Sequence, residues 1–273
     1  MKTQITSDGA IIQSLSVVVL CRDNEAYLPL LFHMLESLEQ KYAVEFEYVF
    51  IENGSVDRTV ALIRQFLAPR KGLLTDIDNS AELDQLPRTN RLARLRNQAK
   101  TLISKDSQWS LLIDTDIIFG DHVLAALFNH IKADPTIGML GAFGIEIRQS
   151  PQSQQWLSKN HYYDSFAFID LNDGFYWPYC AFDSCQHCGD FVPPRWHRGQ
   201  TLEVKSAFGG LALIRSDLLR DARLLWNSPL QDDPPCEHIA FCTSLRELTP
   251  FKVAIATDCE VYWDTTHMPR ALE

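Results

Sequence analysis

Asp114 and Asp116 stand one residue apart at the end of an apolar run, "LLIDTDIIFG" (111–120). Leu111, Leu112 and Ile113 read as a buried strand, since such strands are short, apolar and unalternating. Two acids at its mouth repel each other unless water, a cation or a donor group takes up the charge. Alternate residues of an extended chain point the same way, so both carboxylates can face one cation. Hard oxygen ligands in a partly open site suit Mg2+ or Mn2+, above all where phosphate oxygens complete the shell. The plainer alternative is a turn capped by Asp114 and a solvated Asp116.

A second polar cluster, "FIENGSVDRT" (50–59), closes another apolar run. The Glu52 carboxylate and the Asn53 amide can hydrogen-bond a nucleobase or ribose edge, and Gly54 lets the backbone turn sharply. Asp57 reads as an acid favouring a helix N-terminus. The third cluster is "RTNRLARLRNQA" (88–99), where Arg88, Arg91, Arg94 and Arg96 form the strongest local positive charge. On a helix, Leu92, Leu95, Ala99, Leu102 and Ile103 share one face and Arg96 lies at its edge. A guanidinium there needs an acceptor, and a strand-end carboxylate or a diphosphate would serve. Arg88 and Arg94 read as a solvated face.

The elements that must position these groups alternate. Strands are expected over 15–20, 46–51 and 72–77 and up to Asp114, with helices over 26–40, 57–67, 90–104 and 121–132 between and after them. The apolar segment 137–145 completes the series. Polar residues at the ends of alternating strands are the pattern of a parallel, doubly wound sheet, whose ligands bind at the carboxyl ends of the strands. The second half is less regular. A strand is expected over 206–215 and a helix over 237–247, and "FKVAIA" and "CEVYW" read as two further short strands.

The chain has 273 residues, 46% of them hydrophobic, and a formal charge of −10. It can bury one large core, and its acidity argues against nucleic acid. An anionic small molecule stays open, because a local basic cluster or a bound cation reverses the sign at one site. "GAIIQSLSVVVL" is interrupted by Gln13, Ser14 and Ser16, so it reads neither as a leader nor as a transmembrane segment. The expectation is a cytoplasmic protein, or one peripheral at the inner membrane face. The seven cysteines are expected as free thiols. Cys180, Cys185, His187 and Cys188 do not have the spacing of a standard zinc knuckle and read as a loop beside a cleft.

"SVVVLCRDNE", "ENGSVDRT", "RLARLRN" and "LLIDTDIIF", in this order over roughly residues 15–120, resemble the nucleotide-sugar glycosyltransferases of the GT-A fold. Within that fold the chain is most similar to the fungal, cryptococcal-type mannosyltransferase group, which pairs E-N-G-S-x-D-x-T with an R-(I/L)-x-x-x-R-N helix. "YYDSFAFIDLNDG" (162–174) is similar to a segment those enzymes carry after the metal motif. The resemblance implies one α/β, Rossmann-like domain over 1–273, with a mainly parallel central sheet flanked by helices. Its nucleotide-binding half would span 1–120 and an irregular acceptor-binding half 121–273.

The resemblance also implies roles. Donor contacts would come from Cys21, Arg22, Asn24, Glu25, Glu52, Asn53, Ser55, Arg96, Asn97, Asp114, Thr115 and the pair Gly209-Gly210, whose alternative is a tight turn or bulge. Mn2+ or Mg2+ would sit on Asp114, Asp116 and His267. Asp116 and Arg96 would act on the leaving diphosphate. Glu237, in "CEH", would be the acceptor-side base or anchor; its plain alternative is an acid in a first helical turn. GDP-mannose is expected ahead of UDP-sugars, with a glycan or lipid-linked acceptor. Many family-2 relatives have Asp-Asp where Glu52-Asn53 stand, which leaves the base open. A nucleotidyltransferase would want a glycine-rich loop after the first strand, where this chain has "CRDNEAY". A non-catalytic carbohydrate-binding relative would need no paired acids.

Overall fold

The computed structural model describes residues 2–7, 10–76, 80–149, 155–174, 199–227 and 236–266. A small antiparallel pair, β1 (Thr6–Ser7) and β2 (Ala10–Ile11), precedes the alternating half. That half runs β3 (Ser14–Cys21), α1 (Leu28–Lys41), β4 (Glu45–Glu52), α2 (Thr59–Leu67), β5 (Gly72–Asp76), α3 (Ser80–Asp84), α4 (Arg88–Thr101) and β6 (Trp109–Asp114). There follow β7 (Ile117–Ile118), α5 (Val123–Ala133), β8 (Ile137–Gln149), β9 (Trp156–Tyr162), β10 (Thr201–Val204), β11 (Leu211–Arg215), α6 (Ser216–Arg220), α7 (Glu237–Leu248) and β12 (Lys252–Asp264).

The main sheet has the order β10-β12-β8-β11-β6-β3-β4-β5, with β7 on β12 and β9 on β8. Strands β5, β4, β3, β6, β8 and β12 point one way, and β11 and β10 run against them. Helices cover both faces, so the central strands are apolar on both sides. Val17 and Val19 of β3 join one core with α1, α2 and α5, while Val18 joins the other with α4, α6 and α7. Helix α1 opens at a proline and buries Leu28, Leu31, Met34, Leu35 and Leu38, one stripe at helical spacing. Phe32 stacks on Phe66 of α2 at 4.2 Å between ring centres, clamping the two helices over β4.

Register lines up the strand ends. Cys21 of β3 stands opposite Glu52 of β4, and Leu20 opposite Asp114 of β6. The polar clusters that follow these strands therefore emerge along one edge. Antiparallel β11 brings Leu211 opposite Ile113, so the residues just before β11 meet the end of β6.

Several elements differ from the sequence expectation. "FKVAIA" and "CEVYW" belong to one 13-residue strand, β12, whose register against β8 slips between Ala256 and Glu260. The polar Thr257 and Asp258 that look like a break occupy this bulge. Thr257 donates from its hydroxyl to the Gln200 carbonyl at 2.9 Å, and the Asp258 carboxylate meets His130 at 2.6 Å. The strand expected from 206 begins at Leu211, because Gly209 and Gly210 both have φ of +77. The polar stretch before α4 holds the short helix α3. The Cys180–Cys188 loop and His267 lie outside the described residues. Cys21, Cys236, Cys242 and Cys259 are buried free thiols. Among the described residues no helix is long and apolar enough to cross a membrane.

Burial in the core sets the cost of truncating a side chain there. Leu111 is fully buried in β6, so Leu111→Ala should lower the unfolding free energy by about 2–5 kcal/mol in urea melts. Val56, at 94% exposure, should shift it by less than about 0.5 kcal/mol when changed to alanine.

Candidate functional site

The loops after β3 and β4 are stitched together by side chains. Asp23, in a left-handed conformation at φ 51, accepts the Val56 N–H at 2.8 Å, and its own N–H donates to the Ser55 hydroxyl at 2.9 Å. Thr59 accepts the Asn24 N–H at 2.7 Å, Asp57 accepts the Glu25 N–H at 3.0 Å, and Glu25 accepts the Arg58 N–H at 2.9 Å. Arg22 forks onto Asp84 of α3. Cys21, buried below, has its thiol pushed up by burial and by the Glu52 and Asp57 charges, so it stays protonated. The expected donor contacts at 22–25 and at 52–55 are thus two halves of one loop platform.

Glu52 and Asn53 are buried at 1% and 2% exposure. Glu52 accepts the Gly54 N–H at 3.1 Å and also the Ser55 N–H, closing the sharp turn. The Asn53 amide is different. Neither its nitrogen nor its oxygen has a hydrogen-bond partner. A buried amide left unpaired is costly, and a ligand edge offering one acceptor and one donor would satisfy it.

Arg96 lies at the centre. Its Nε donates to Glu237 Oε1 at 2.9 Å and its Nη2 to Asp114 Oδ1 at 3.4 Å, while its guanidinium covers the Phe208 ring at 4.9 Å. The acceptor that the edge position on α4 called for is therefore the strand-end carboxylate, shared with Glu237 at the start of α7. Burial works against the charge of Arg96, but Glu237 and Asp114 hold it protonated. Burial likewise works against ionising Glu237, yet His238, where acid protonates it, and Arg96, charged throughout, hold that carboxyl down at about 2. Asn97, next on α4, spends its amide on the Trp226 backbone, donating at 2.6 Å and accepting at 3.0 Å. The Trp226 indole donates to His238 Nδ1 at 3.3 Å, and His238 stacks on Phe208 at 4.0 Å. Burial and Arg96 push His238 down to about 3, so it is neutral at neutral pH.

Asp116 accepts the Trp263 indole N–H at 2.8 Å. Burial and the Asp114 charge push it up to about 7. Burial, and Glu237 beyond it, also raise Asp114 against the pull of Arg96. Thr115 between them is buried. The Asp114 N–H donates to the Gly210 carbonyl at 2.9 Å, and the Gly209 N–H donates to Asp164 at 2.9 Å. A Cβ on Gly209 would run into the Ala142 carbonyl, and one on Gly210 into Ile117 and the Tyr163 hydroxyl. Both positions need glycine for conformation and for space. Tyr163 stacks on Trp263 at 4.7 Å, which closes the ring of groups around the two aspartates. Sequence reasoning missed Asp164, Phe208, Trp226, His238 and Trp263. The one signal was the "YYDSFAF" segment that holds Asp164.

The fit of a divalent cation can be judged from the donor set. Each aspartate gives one oxygen to a neighbour, and one shared guanidinium with one indole serves two half-buried carboxylates. Their remaining like charge, visible in the raised Asp116, suits a hard dication. The Asp114 side chain is 37% exposed, so ligand oxygens can reach it. Among the described residues no group of three or more His, Cys, Asp or Glu is placed to hold an ion. The shell would need oxygens from elsewhere, as Mg2+ and Mn2+ sites on nucleotide phosphates have.

Residues 16–187 match the model of the family described as Glycosyl transferase family 2. No curated protein matches the sequence. Among solved structures, the chain is similar to S. aureus TarS 1-349 in complex with UDP-GlcNAc, with 14% identity and a TM-score of 0.56, over 94% of this chain and 60% of that one. It is also similar to the mannosyltransferase PcManGT from Pyrobaculum calidifontis in complex with GDP-Man and Mn2+, with 14% identity and a TM-score of 0.51, over 98% and 60%. A third is glucosyl-3-phosphoglycerate synthase from Mycobacterium tuberculosis in complex with Mn2+ and UDP-Glc, with 12% identity and a TM-score of 0.51, over 95% and 73%. The chain spans about three fifths of the TarS and PcManGT chains. At these identities the likeness concerns the fold alone, which is the GT-A fold of glycosyltransferases.

The Arg96 cluster predicts a linked stability and pH effect. The folded Glu237 carboxyl, at about 2, lies below its ordinary 4.5. Its contribution is full above that ordinary value and fades as pH falls toward 2. Arg96→Met leaves Glu237, whose side chain is 2% exposed, without its cation, and should cost about 3–5 kcal/mol at neutral pH. The carboxyl then binds its proton more readily than in the unfolded chain, so the deficit should narrow as urea melts are repeated down toward about pH 4. A deficit independent of pH would mean that Glu237 is not its source.

Proposed function

The chain belongs to glycosyl transferase family 2, and we propose that it moves a sugar from a nucleoside-diphosphate donor to a hydroxyl of a glycan or lipid-linked acceptor. The observation that carries this reading is the meeting of three features along one edge of the sheet. They are the unpaired Asn53 amide, the Asp114–Asp116 pair and the Arg96 guanidinium between Asp114 and Glu237. Together they offer a nucleobase edge, a cation seat and a diphosphate clamp. Mannose, from GDP-mannose, is the sugar favoured by the E-N-G-S and R-L-x-x-x-R-N resemblance.

Asp114 and Asp116 would hold Mn2+ or Mg2+, with His267 as a further candidate ligand. Such an ion, when bound, supplies positive charge to the departing diphosphate oxygens. The chain's own residues do the rest. Arg96, permanently charged and dry, adds a second fixed cation beside the same oxygens, and a preorganised charge in a buried site needs no reorganisation when the bond breaks. Glu237, 1% exposed and held strongly acidic, orients Arg96. Its low proton affinity makes it a poor base, so the role we assign to it is the clamp rather than proton removal. The loop platform of Arg22, Asn24, Glu25 and Ser55 frames the nucleoside, and the Gly209-Gly210 turn brings bare backbone up to the donor sugar.

Two measurements test the reading. Asp114→Asn or Asp116→Asn should abolish the Mn2+-dependent part of nucleotide-sugar affinity in calorimetry while the protein stays folded; full metal-dependent affinity in either variant refutes the cation seat. A melting-temperature panel of GDP, UDP, CDP and dTDP with Mn2+ should give its largest rise with GDP. A ligand at about a hundred times its Kd adds about 2.7 kcal/mol to the folded state. A clear rise with UDP and none with GDP would refute the donor preference and leave the transfer reading standing.

A further inference from the structure

We infer that Asp164 is the residue that takes the proton from the acceptor hydroxyl, an inference that rests on the transfer reading above. The segment 163–169 runs alongside 206–210. Asp164 Oδ2 accepts the Gly209 N–H at 2.9 Å, Tyr162 accepts the Phe208 N–H at 3.3 Å, and Ile169 bridges to Ser206. Gly210, the other half of that turn, accepts the Asp114 N–H at 2.9 Å. Tyr163 stacks on Trp263, and the Trp263 indole holds Asp116. Asp164 is therefore tied by one link to the turn at the donor sugar and flanked by a residue tied to the cation seat. That position, beside the glycine turn and next to the aspartate pair, is the one from which we assign it to the acceptor oxygen.

The other acids of the site have engagements that exclude the task. Glu237 is sealed against Arg96, and Asp114 and Asp116 face the cation. Asp164 has no cationic side chain on it among the described residues; it accepts backbone N–H groups of Gly209 and Ala167. The titratable groups that face it are Asp114 from β6, Cys236, Glu237 and Cys242 from α7 and its start, and Tyr163 on its own segment. Burial, with the charges of Asp114 and Glu237, pushes its carboxyl up to about 6. It is then ionised at neutral pH yet holds a proton far more strongly than Glu237, which suits general-base work.

The step balances without any further reactant. The acceptor O–H bond breaks and its proton goes to Asp164. The oxygen's electron pair forms the new bond to the anomeric carbon, and the bond from that carbon to the diphosphate breaks with its pair leaving on the diphosphate oxygen. A single displacement of this kind inverts the anomeric configuration.

Asp164→Asn tests it, because the amide oxygen can still accept the Gly209 N–H while losing the capacity to take a proton. With GDP-mannose and UDP-GlcNAc in Mn2+, donor Kd from calorimetry and the melting temperature should stay near wild type. Release of nucleoside diphosphate to methyl α-D-mannopyranoside, and to water, should fall by about 10²–10⁴-fold at saturating donor. Asp164→Glu, which keeps the acid, should recover part of that loss and serves as the reference if the asparagine variant melts early. The inference is overturned if Asp164→Asn keeps turnover within about threefold of wild type, if Asp164→Glu is as inactive as a misfolded control, or if the product retains the donor's configuration. A wild-type chain that binds donor with Mn2+ yet releases no diphosphate to any acceptor defeats the transfer reading itself, and this inference with it; normal wild-type release beside an active Asp164→Asn defeats the inference alone.

Discussion

A single buried guanidinium holds the site together. Arg96 reaches Glu237 at the start of α7 and Asp114 at the end of β6, and its flat face rests on Phe208 just before the glycine turn. Four segments far apart in the chain thus share one cation. Two carboxylates and one guanidinium leave a net negative charge in a dry place, which the fold tolerates because each ion is hydrogen-bonded and the Asp114 side opens toward solvent. The residual charge is the ground on which we propose a dication there.

The strand reversal at β11 has the second largest consequence. A sheet that stayed parallel past β6 would need a long crossover there. Antiparallel β11 instead lies directly against β6, with Gly209 and Gly210 turned at φ +77 beside Asp114. The turn accepts one hydrogen bond from the Asp114 N–H and donates another to Asp164. The end of β6 and the Asp164 segment are therefore coupled through two glycines, and any side chain there would collide with β8 or β7. The bulge in β12 plays a related part at the far side. It lets one long strand satisfy both the His130 contact and the Trp263 indole bond to Asp116.

The two halves of the site differ in how they are stabilised. The side formed by the loops after β3 and β4 is a hydrogen-bonded platform of short side chains, in which Asp23, Ser55, Asp57 and Thr59 answer backbone N–H groups across two loops. Such a platform is rigid without a ligand, which lowers the ordering cost of binding. The side beyond β6 is built from aromatic stacking, with Tyr163 on Trp263, and His238 on Phe208. Stacked rings position by shape and leave Asp164 as the acid that answers to incoming chemistry.

The strand-helix alternation, the buried stripe of α1 and the location of Asp114, Asp116, Glu52 and Asn53 at strand ends were legible in the sequence, because each depends on short-range periodicity and on where an apolar run stops. The edge position of Arg96 was legible for the same reason: helical geometry alone says that its head must find an acceptor. What sequence periodicity could not say is which acceptor. That choice required the register of β6 against β3 and the approach of α7, contacts between residues about a hundred positions apart or more, beyond the reach of any local pattern. The same holds for Trp226 beside Asn97, for Trp263 beside Asp116 and for Asp164 beside Gly209, none of which carries a local pattern. The continuity of β12 was hidden because Thr257 and Asp258 look like a turn, and only pairing with β8 on both sides of the bulge makes one strand of them. Local chemistry determined which residues had to face solvent or a partner, and long-range packing decided who the partners are.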